Sequence, residues 1–412
     1  MVNENLDPLM AVDMPDDWEL IPLKNCTTEP LSYGINAPAV PYNCNLPCYI
    51  RITDITEDGK FNETDRKSVC TNEPEKYLLH DGDIVLARTG ASTGKSYLYD
   101  SKDGELVYAG FLIKASINTE SYNAKYIVSQ LTTKRYWNWV AATSMRSGQP
   151  GINGKEYSSF LIPMPRKKEQ DLIANAIYSF DTYIDNLTEL IEKKKNIRDG
   201  ALEDLVSGRT RLNGFDGEWH LKAISDCTDI FQGGTPKTSN PAFWNGSVVW
   251  VTPGEITKNK GMYISNSERT ITIDGVRNSS ATILPKGTIL LCTRATIGDL
   301  AIAEIEMATN QGFKNLVCKP GVNNIFFSYL LLTKKQEMIS KAIGTTFLEI
   351  SKKVLSAIEV NLPDLPEQEA IAAALTAMDE EIANLESEKE KMIQIREGAM
   401  DDLLTGRVRL NV

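Results

Sequence analysis

The 412-residue sequence predicts an α+β fold. In this fold, two homologous mixed α/β domains are separated by two long antiparallel helices, which form a coiled-coil rod with an internal pseudo-two-fold repeat. Three observations predict it. The chain repeats itself, each half ends in a long segment with heptad periodicity, and the region before each of these segments is rich in short strand patterns and turn residues.

The internal repeat is clearest in the two helical segments. Residues 169–212 match residues 367–410 at a constant offset of 198 residues, and both segments end in the pattern Ser/Thr-Gly-Arg-x-Arg-Leu. A second anchor is Trp18, which matches Trp219 in a similar local sequence. The two halves are therefore homologous, although the regions before the helices have diverged heavily.

The heptad pattern predicts two long helices. Prolines lie just upstream of both segments and acidic residues occupy the first turns, while Gly208 and Gly406 mark the expected stops. At ~1.5 Å per residue, each helix would be roughly 50–60 Å long. Neither apolar stripe can bury itself, so we expect the two helices to pack on one another; the alternative is that each packs on the core of its own domain. The residues expected to form the spacer helices and their docking surface are Ile177, Ile184, Leu187, Ile191, Arg198, Leu375, Ile382, Leu385, Met392 and Arg396.

The repeat and the helix signals together predict the division of the chain. The expected parts are an N-terminal tail (1–17), a first α/β domain (18–165), a first long helix (166–207), a linker (208–218), a second α/β domain (219–363), a second long helix (364–406) and a C-terminal tail (407–412).

Composition limits the classes of function. No stretch approaches the ~20 apolar residues of a membrane span, the acidic N-terminus is unlike a secretory signal, and seven cysteines argue against a disulfide framework, so we expect a cytoplasmic protein without membrane association. Only two histidines are present, which makes most hydrolase chemistries and histidine-based metal sites unfavourable. The net charge of −11 is concentrated in the N-terminal tail and the second helical segment, so nucleic-acid binding by the α/β domains is not excluded.

Two motifs suggest chemistry that the surrounding sequence does not support. Residues 89–96 resemble a phosphate-binding loop, but the two glycines are one residue too close, a strand pattern follows, and the repeat copy lacks the lysine. Four cysteines, Cys26, Cys44, Cys48 and Cys70, lack the paired spacing of a zinc site. We therefore expect no cofactor and no metal, and keep a nucleotide-binding enzyme only as an alternative.

Recognition of a ligand remains as the expected function. Loops that follow the shared strands are rich in side chains that bond to phosphates and to base edges. The residues expected to bind DNA are Arg88, Thr89, Ser92, Lys95, Arg146, Ser147, Gln149, Lys237, Lys258, Thr293, Arg294, Thr296, Gln311 and Lys352.

These motifs resemble those of a known family. Trp18 and Trp219, Gly234-Thr235-Pro236, Leu365-Pro366-Glu367-Gln368 and the two Gly-Arg-x-Arg-Leu ends are similar to the specificity subunit of type I restriction-modification enzymes, along nearly the whole chain. One departure is that Lys167-Lys168-Glu169-Gln170 replaces the Leu-Pro-Glu-Gln form in the first half.

The resemblance implies a non-catalytic subunit. Each α/β domain would be a target-recognition domain that reads one half of a bipartite site in double-stranded DNA. The helices would set the spacing between the half-sites and dock two methyltransferase subunits, whose adenine chemistry requires base flipping, and ATP-using restriction subunits would join that core. An alternative within the resemblance is a specificity-like subunit of a fused methyltransferase-nuclease system.

Overall fold

The computed structural model describes residues 14–145, 150–344 and 348–410. The chain divides into two compact units. Unit 1 comprises residues 1–188 and 387–412, and unit 2 comprises residues 189–386. Both divisions fall within a long helix, so each unit contains an α/β region and a segment of both helices.

The α/β region of unit 1 contains short strands and three helices before the first long helix. Its strands are β1 (Glu19–Pro22), β2 (Ser32–Tyr33), β3 (Ala39–Pro41), β4 (Cys48–Ile50), β5 (Lys67–Val69), β6 (Asp83–Ala87), β7 (Ser96–Leu98), β8 (Leu106–Tyr108), β9 (Leu112–Ser116) and β10 (Leu161–Met164). Its helices are α1 (Ala124–Gln130), α2 (Lys134–Ser144), α3 (Gly154–Ser159) and the long α4 (Lys167–Ser207), whose last part belongs to unit 2.

Two four-stranded sheets form the centre of unit 1. One has the order β2-β9-β6-β7 and the other β3-β5-β4-β8, while β1 pairs antiparallel with β10. Strand β6 is buried along its whole length, as its run of apolar residues predicts. A hydrophobic core of unit 1 includes Trp18, Tyr126, Tyr157 and Phe160, and residues of both helical segments pack against them.

The α/β region of unit 2 repeats this plan with different lengths. Its strands are β11 (His220–Ala223), β12 (Thr228–Gln232), β13 (Trp244–Val251), β14 (Tyr263–Ile264), β15 (Thr270–Ile271), β16 (Ile289–Cys292), β17 (Leu300–Ala303), β18 (Met307–Thr309), β19 (Phe313–Cys318) and β20 (Glu359–Leu362). Its helices are α5 (Ile224–Cys227), α6 (Pro253–Lys258), α7 (Ile273–Arg277), α8 (Asn324–Thr333), α9 (Lys335–Ser340), α10 (Lys352–Ser356) and the long α11 (Leu365–Thr405), which ends in unit 1.

The sheets of unit 2 correspond to those of unit 1. A five-stranded sheet has the order β12-β19-β16-β17-β14, a three-stranded sheet has the order β15-β13-β18, and β11 pairs antiparallel with β20. Strands β16 and β17 are buried throughout and form one core with helix α8.

Both long helices end at the predicted glycines. Gly208 has a φ of 74° and Gly406 a φ of 75°, the left-handed conformation that closes many helices and that glycine adopts without strain. A Cβ on Gly208 would meet the ring of Trp219, and one on Gly406 would meet Pro15 and Trp18. The tryptophan of each repeat therefore covers the end of a long helix.

An arginine closes unit 1 by binding the start of α4. Arg409 donates two hydrogen bonds to Glu169, at 2.5 and 2.8 Å, and two more to Asp17, at 2.8 and 2.9 Å. Its guanidinium also lies 5.7 Å from the centre of the Trp18 ring. Glu169 is buried, so this arginine balances a charge that has left water. We call this set the unit 1 clasp.

The equivalent residues close unit 2. Arg211 donates to Glu367 at 2.5 and 2.7 Å and lies 5.6 Å from the centre of the Trp219 ring. The indole Nε1 of Trp219 also donates to Glu367, at 3.2 Å, whereas Nε1 of Trp18 has no hydrogen-bond partner among the described residues. We call this set the unit 2 clasp.

The glutamine after each clasp glutamate fastens the helix start to the α/β region. In unit 1, Oε1 of Gln170 accepts from the backbone N–H of Asn123 and its amide donates to the carbonyl of Pro165, both at 2.9 Å. In unit 2, Gln368 makes the same two bonds with Asn323 and Pro363. The Glu-Gln pair of the sequence motif is thus a structural anchor.

The helical segments within each unit are joined by ion pairs. In unit 1, Nε of Arg396 donates to Asp181 at 2.5 Å. In unit 2, Nε of Arg198 lies 3.0 Å from Asp379, which also accepts a hydrogen bond from the hydroxyl of Tyr329 at 2.6 Å. In unit 1 these contacts, together with the clasp, show that the two segments run antiparallel.

Half of the ten residues proposed for docking lie inside the protein. Ile177, Leu187, Ile191, Leu375 and Ile382 are buried. Buried side chains cannot contact a second protein, so the docking part of their assignment is corrected, while a role in the helices is compatible with their position. The other five residues are partly buried: Ile184, Arg198, Leu385, Met392 and Arg396.

Membrane-spanning helices, metal-binding clusters and disulfides are absent from the described residues. None of the helices in those ranges is long and apolar enough to span a membrane, and no cluster of three metal-binding side chains occurs there. The seven cysteines are unpaired in the structure.

Candidate nucleic-acid interface

In unit 1, strand β6 leads into a tight loop that carries the first candidate arginine. Gly90 and Gly94 have φ values of 71° and 95°, and a Cβ on Gly94 would lie 2.8 Å from the ring of Trp137. Glycine at residue 94 is therefore required by both conformation and space. Strand β7 follows the loop directly, which confirms that residues 89–96 are not followed by the helix that a phosphate-binding loop requires.

The hydroxyl groups of two buried tyrosines bind the backbone of this loop. The hydroxyl of Tyr157 donates to the carbonyl of Ala87 and that of Tyr136 donates to the carbonyl of Gly94, each at 2.7 Å. Burial raises the pKa of both phenols, so both remain protonated donors at neutral pH. The loop is thus a fixed platform for Arg88 and Thr89.

Arg88 lies across an exposed aromatic ring. Its guanidinium is 4.9 Å from the centre of the Tyr33 ring, and Tyr33 is 44% exposed. Nε of Arg88 is buried without a hydrogen-bond partner among the described residues. The Tyr33 hydroxyl is held in place because it accepts from the backbone N–H of Gly154 at 2.9 Å. Stacking on a ring orients a guanidinium without consuming its donors.

In the corresponding loop of unit 2, the arginine lies one position later in the chain. Ala87 pairs with Leu112 in unit 1 and Cys292 pairs with Phe313 in unit 2, so Arg88 corresponds to Thr293, and the residue after it, Thr89, to Arg294. Ala295 has a φ of 65° and Gly298 a φ of 91°, as Gly90 and Gly94 do in unit 1. The two candidate arginines therefore occupy neighbouring, not equivalent, positions.

Thr293 is corrected as a DNA-contacting residue. It is completely buried, and both its backbone N–H and its hydroxyl donate to the carbonyl of Gly312, at 2.8 and 3.2 Å. It supports the loop from inside the protein.

Unit 2 has an open cavity beside Arg294. Its volume is about 220 Å³. Arg294 lies with its Nε 3.8 Å from Glu349, whose carboxylate also accepts a hydrogen bond from buried Lys314 at 3.2 Å. The residues that line this cavity are Pro253, Arg294, Ala295, Asn310, Gln311 and Gly312.

Two amides in the cavity wall are oriented by neighbouring donors. The Thr235 hydroxyl donates to Oε1 of Gln311, and Gln232 donates to the Gln311 backbone carbonyl at 2.9 Å. Oδ1 of Asn310 accepts from the backbone N–H of Gly312 at 2.8 Å. The structure therefore brings together the predicted residues Arg294 and Gln311.

Asn310, Thr235 and Pro253 were not among the predicted DNA-binding residues, although Thr235 belongs to one of the motifs named above. The available signal was the run Asn310-Gln311-Gly312 at the turn between two strands, because amides beside a glycine turn are common in loops that bind ligands through hydrogen bonds.

The remaining candidates lie apart from this cavity or have partners of their own. Lys95 pairs with Glu57 at 2.6 Å and Lys352 donates to the carbonyl of Ile230 at 2.7 Å, so both side chains hold loops of the protein itself. Lys258 lies 3.3 Å from Glu268 on the surface. Lys237 is exposed, while Ser92 and Thr296 are partly buried. The candidates outside the described residues are Arg146, Ser147 and Gln149.

Comparison with known protein families gives a match over most of the chain. The family described as "Type I restriction modification DNA specificity domain" matches residues 48–196 and 216–394. The type I restriction enzyme MjaIX specificity subunit of Methanocaldococcus jannaschii is 38% identical over 180 residues, which are 43% of this chain and 42% of that protein. The putative MjaX specificity subunit of the same organism is 26% identical over 434 aligned positions, 99% of this chain and 97% of that protein.

Solved structures give the same fold. The type I restriction-modification S subunit from M. genitalium has a TM-score of 0.61 at 15% identity, over 99% of this chain and all of that one. A chain from a study of complex assembly and conformational transition of the type I R-M system has a TM-score of 0.58 at 16% identity, over 97% of this chain and all of that one. The prediction of two α+β domains is confirmed by these similarities. By its family match, the chain belongs to the family of type I restriction-modification specificity subunits.

Proposed function

We propose that the α/β regions of units 1 and 2, within residues 18–165 and 219–363, each bind one half of a bipartite site in double-stranded DNA. The observation that carries the proposal is the repeated strand-loop element. In unit 1 it presents Arg88 on the Tyr33 ring, and in unit 2 it presents Arg294 beside Asn310 and Gln311. Arginine and amide side chains on a rigid loop are the groups that read base edges.

Different side chains on a shared scaffold favour two different half-sites. The arginine is displaced by one position between the repeats, and the unit 2 arginine lines the cavity described above. A bipartite and asymmetric target follows, because each loop presents its donors in a different geometry.

The long helices α4 and α11 act in this proposal as a paired rod that sets the distance between the half-sites. The ion pairs Asp181–Arg396 and Arg198–Asp379 support it, since each joins a segment of one helix to a segment of the other within its own unit. The same helices offer exposed apolar side chains at matching positions, with Ile197 52% and Ile395 53% exposed. Two copies of a methyltransferase subunit would dock on such a repeated surface, and restriction subunits would join the complex.

The chain contributes recognition and no catalysis in this proposal. Adenine modification belongs to the methyltransferase subunits, which flip the base out of the duplex. Partner subunits would also supply much of the positive charge around DNA, which reconciles DNA binding with the net charge of −11 of this chain.

The test is methylation mapping of a host genome after co-expression of the chain with the neighbouring methyltransferase. We expect a bipartite motif with modified adenine in both halves, which disappears when the chain is omitted. If no motif appears although the two proteins form a complex, DNA recognition by this chain is refuted.

Arg88→Ala and Arg294→Ala serve as controls for one another. Each is expected to relax the motif in one half only, and in different halves, because the two side chains belong to different units. Equal loss of both halves in either variant would contradict the assignment of one half-site to each unit.

The spacing role has a separate test. Four residues inserted into both helices, at 188/189 and at 386/387, add about one turn, or ~6 Å, which corresponds to roughly two base pairs. A motif with an unchanged spacer would refute the role of the helices in setting the distance.

A further inference from the structure

We propose that the cavity of unit 2 binds the major-groove edge of a guanine, so that the half-site read by this unit contains a G·C pair. The inference rests on the proposed function, because it specifies what the DNA-binding loop of unit 2 recognises. It follows from the direction of the hydrogen-bonding groups in the cavity wall, which the structure fixes by internal contacts.

Asn310 is oriented without ambiguity. The backbone N–H of Gly312 can only donate, so the side-chain atom 2.8 Å away from it is the amide oxygen. The oxygen of Asn310 is thereby directed to the protein, and the amide nitrogen, which only donates, is the group that Asn310 adds to the cavity.

Gln311 has the same orientation in the structure, with a neighbouring hydroxyl as the partner of its oxygen. Oε1 of Gln311 accepts from Thr235, and the backbone carbonyl of Gln311 is held by Gln232. With its oxygen bonded to Thr235, the side chain offers Nε2, again a donor. Two neighbouring amides, each of which carries one acceptor and one donor group, thus present donors together.

Arg294 adds a third donor group and the charge. A guanidinium has no acceptor. Its nearby carboxylate, Glu349, is also bound by Lys314, whose side chain is 4% exposed. One carboxylate between two cations leaves these three groups with a net positive charge, which favours a ligand with acceptor atoms.

Among the four bases, guanine matches a wall of donors best. Its major-groove edge carries two acceptors, N7 and O6, whereas adenine carries one acceptor and one donor, cytosine presents a donor, and thymine carries one acceptor, O4, beside a methyl group that cannot bond to a donor. An adenine would place its amino group against the donors of the wall and leave buried groups unpaired. The volume of about 220 Å³ is below the ~300–1,000 Å³ of sites that enclose a small molecule, and suits the edge of a base.

The first experiment uses modified DNA and the complex of the full chain with the neighbouring methyltransferase. In the half-site that Arg294→Ala relaxes, guanine is replaced by 7-deazaguanine, which lacks N7, or by hypoxanthine, which keeps N7 and O6 and lacks only the minor-groove amino group. We expect 7-deazaguanine to weaken binding by about tenfold and hypoxanthine to change it by less than about twofold.

A second experiment tests the orientation of Gln311 itself. Thr235→Val removes the hydroxyl that holds Oε1, so the amide of Gln311 can turn and present its oxygen. We expect the preference for guanine over adenine at that position to fall by about tenfold, while Thr235→Ser, which keeps the hydroxyl, retains it. A merely structural role of Thr235 would lower affinity for all sequences alike.

The outcomes separate this inference from the proposed function. Absence of any sequence-specific binding by the complex refutes both. Specific binding with only A·T pairs in the unit 2 half-site, or with no response to 7-deazaguanine, overturns the guanine inference alone. Equal weakening on all sequences by Arg294→Ala, with a smaller salt dependence, assigns the cavity to phosphate and also overturns it.

Discussion

The clasps of the two units share an arginine, a buried glutamate and a tryptophan, but these residues make different hydrogen bonds in each unit. In unit 1, Arg409 binds both Glu169 and Asp17 while the indole Nε1 of Trp18 has no hydrogen-bond partner among the described residues. In unit 2, Arg211 binds Glu367, and the indole of Trp219 donates a further hydrogen bond to the same carboxylate. The buried carboxylate of each unit is satisfied in both cases, but by an arginine alone in unit 1 and by an arginine with an indole in unit 2.

The two clasps also enclose different lengths of chain. Arg409 meets a glutamate 240 residues away, whereas Arg211 meets one 156 residues away. In a flexible chain, this difference in length would change the cost of closure by only about a few tenths of a kcal/mol. The second carboxylate, Asp17, ties the segment before Trp18 to the unit 1 clasp.

Removal of the two clasp arginines is expected to have the largest effect on the stability of the units. Arg409→Ala leaves buried Glu169 without a cationic partner and is expected to lower the free energy of unfolding of unit 1 by roughly 3 kcal/mol. Arg211→Ala should cost unit 2 less, roughly 2 kcal/mol, because Trp219 still donates to Glu367. Hydrogen exchange of peptides at the starts of α4 and α11 reports each unit separately. A loss of protection that spreads equally through both units would contradict independent clasps.

Substitution of the clasp tryptophans is expected to destabilise unit 2 more than unit 1, the reverse of the order expected for the arginines. Trp219→Phe removes a hydrogen bond to a buried carboxylate and should destabilise unit 2 by about 1.5 kcal/mol more than Trp18→Phe destabilises unit 1. Trp18 is buried and Trp219 is only partly buried, so a larger loss of packing in unit 2 would not explain a larger cost there. Equal costs in denaturant unfolding followed by hydrogen exchange would show that the indole bond contributes nothing.

The ion pairs between helical segments give a smaller effect. Arg396 donates a hydrogen bond to Asp181. Nε of Arg198 lies 3.0 Å from Asp379, but the angle of this contact does not meet that of a hydrogen bond. Double-mutant cycles with alanine should give a coupling energy of about 0.5–1 kcal/mol for the unit 1 pair and a lower value for the unit 2 pair. Equal coupling energies would show that the difference in geometry is without consequence.

The smallest expected effect depends on pH. The hydrogen bond from Arg409 lowers the pKa of Asp17 below its ordinary value of 3.8. A carboxyl with a lowered pKa in the folded state stabilises that state fully above its ordinary pKa, and the contribution is lost as pH falls through the lowered value. The difference in stability between the wild type and Asp17→Asn should therefore be constant above pH about 4 and shrink below it. A difference that persists unchanged at pH 2 would contradict the contact.

The sequence predicted the features that repeat along the chain. Heptad spacing, upstream prolines and terminal glycines were sufficient for the helices that end at Gly208 and Gly406, because these signals are local and act within a few residues. The homology of the halves was visible for the same reason. Candidate loops could be located after strands β6 and β16.

The direction of individual side chains could not be predicted in the same way. Neighbouring residues of an extended chain point to opposite sides, so a shift of one position decides whether a side chain faces solvent or the core. Thr293 is buried for this reason although Arg294, its neighbour, lines the cavity. The cavity itself joins segments around Thr235, Pro253, Arg294 and Asn310, whose meeting depends on the tertiary fold.

The continuity of unit 2 has a consequence for protein synthesis. Residues 189–386 form one uninterrupted stretch, so every residue of that unit is translated before the last part of unit 1. Unit 1 needs residues 387–410, including Leu403, Leu404 and Arg409, to complete its core and its clasp. A nonsense mutation soon after residue 386 would therefore yield a polypeptide in which unit 2 is complete and unit 1 exposes apolar surface to chaperones and proteases. Unit 1 would be the incomplete unit although most of it is synthesised first.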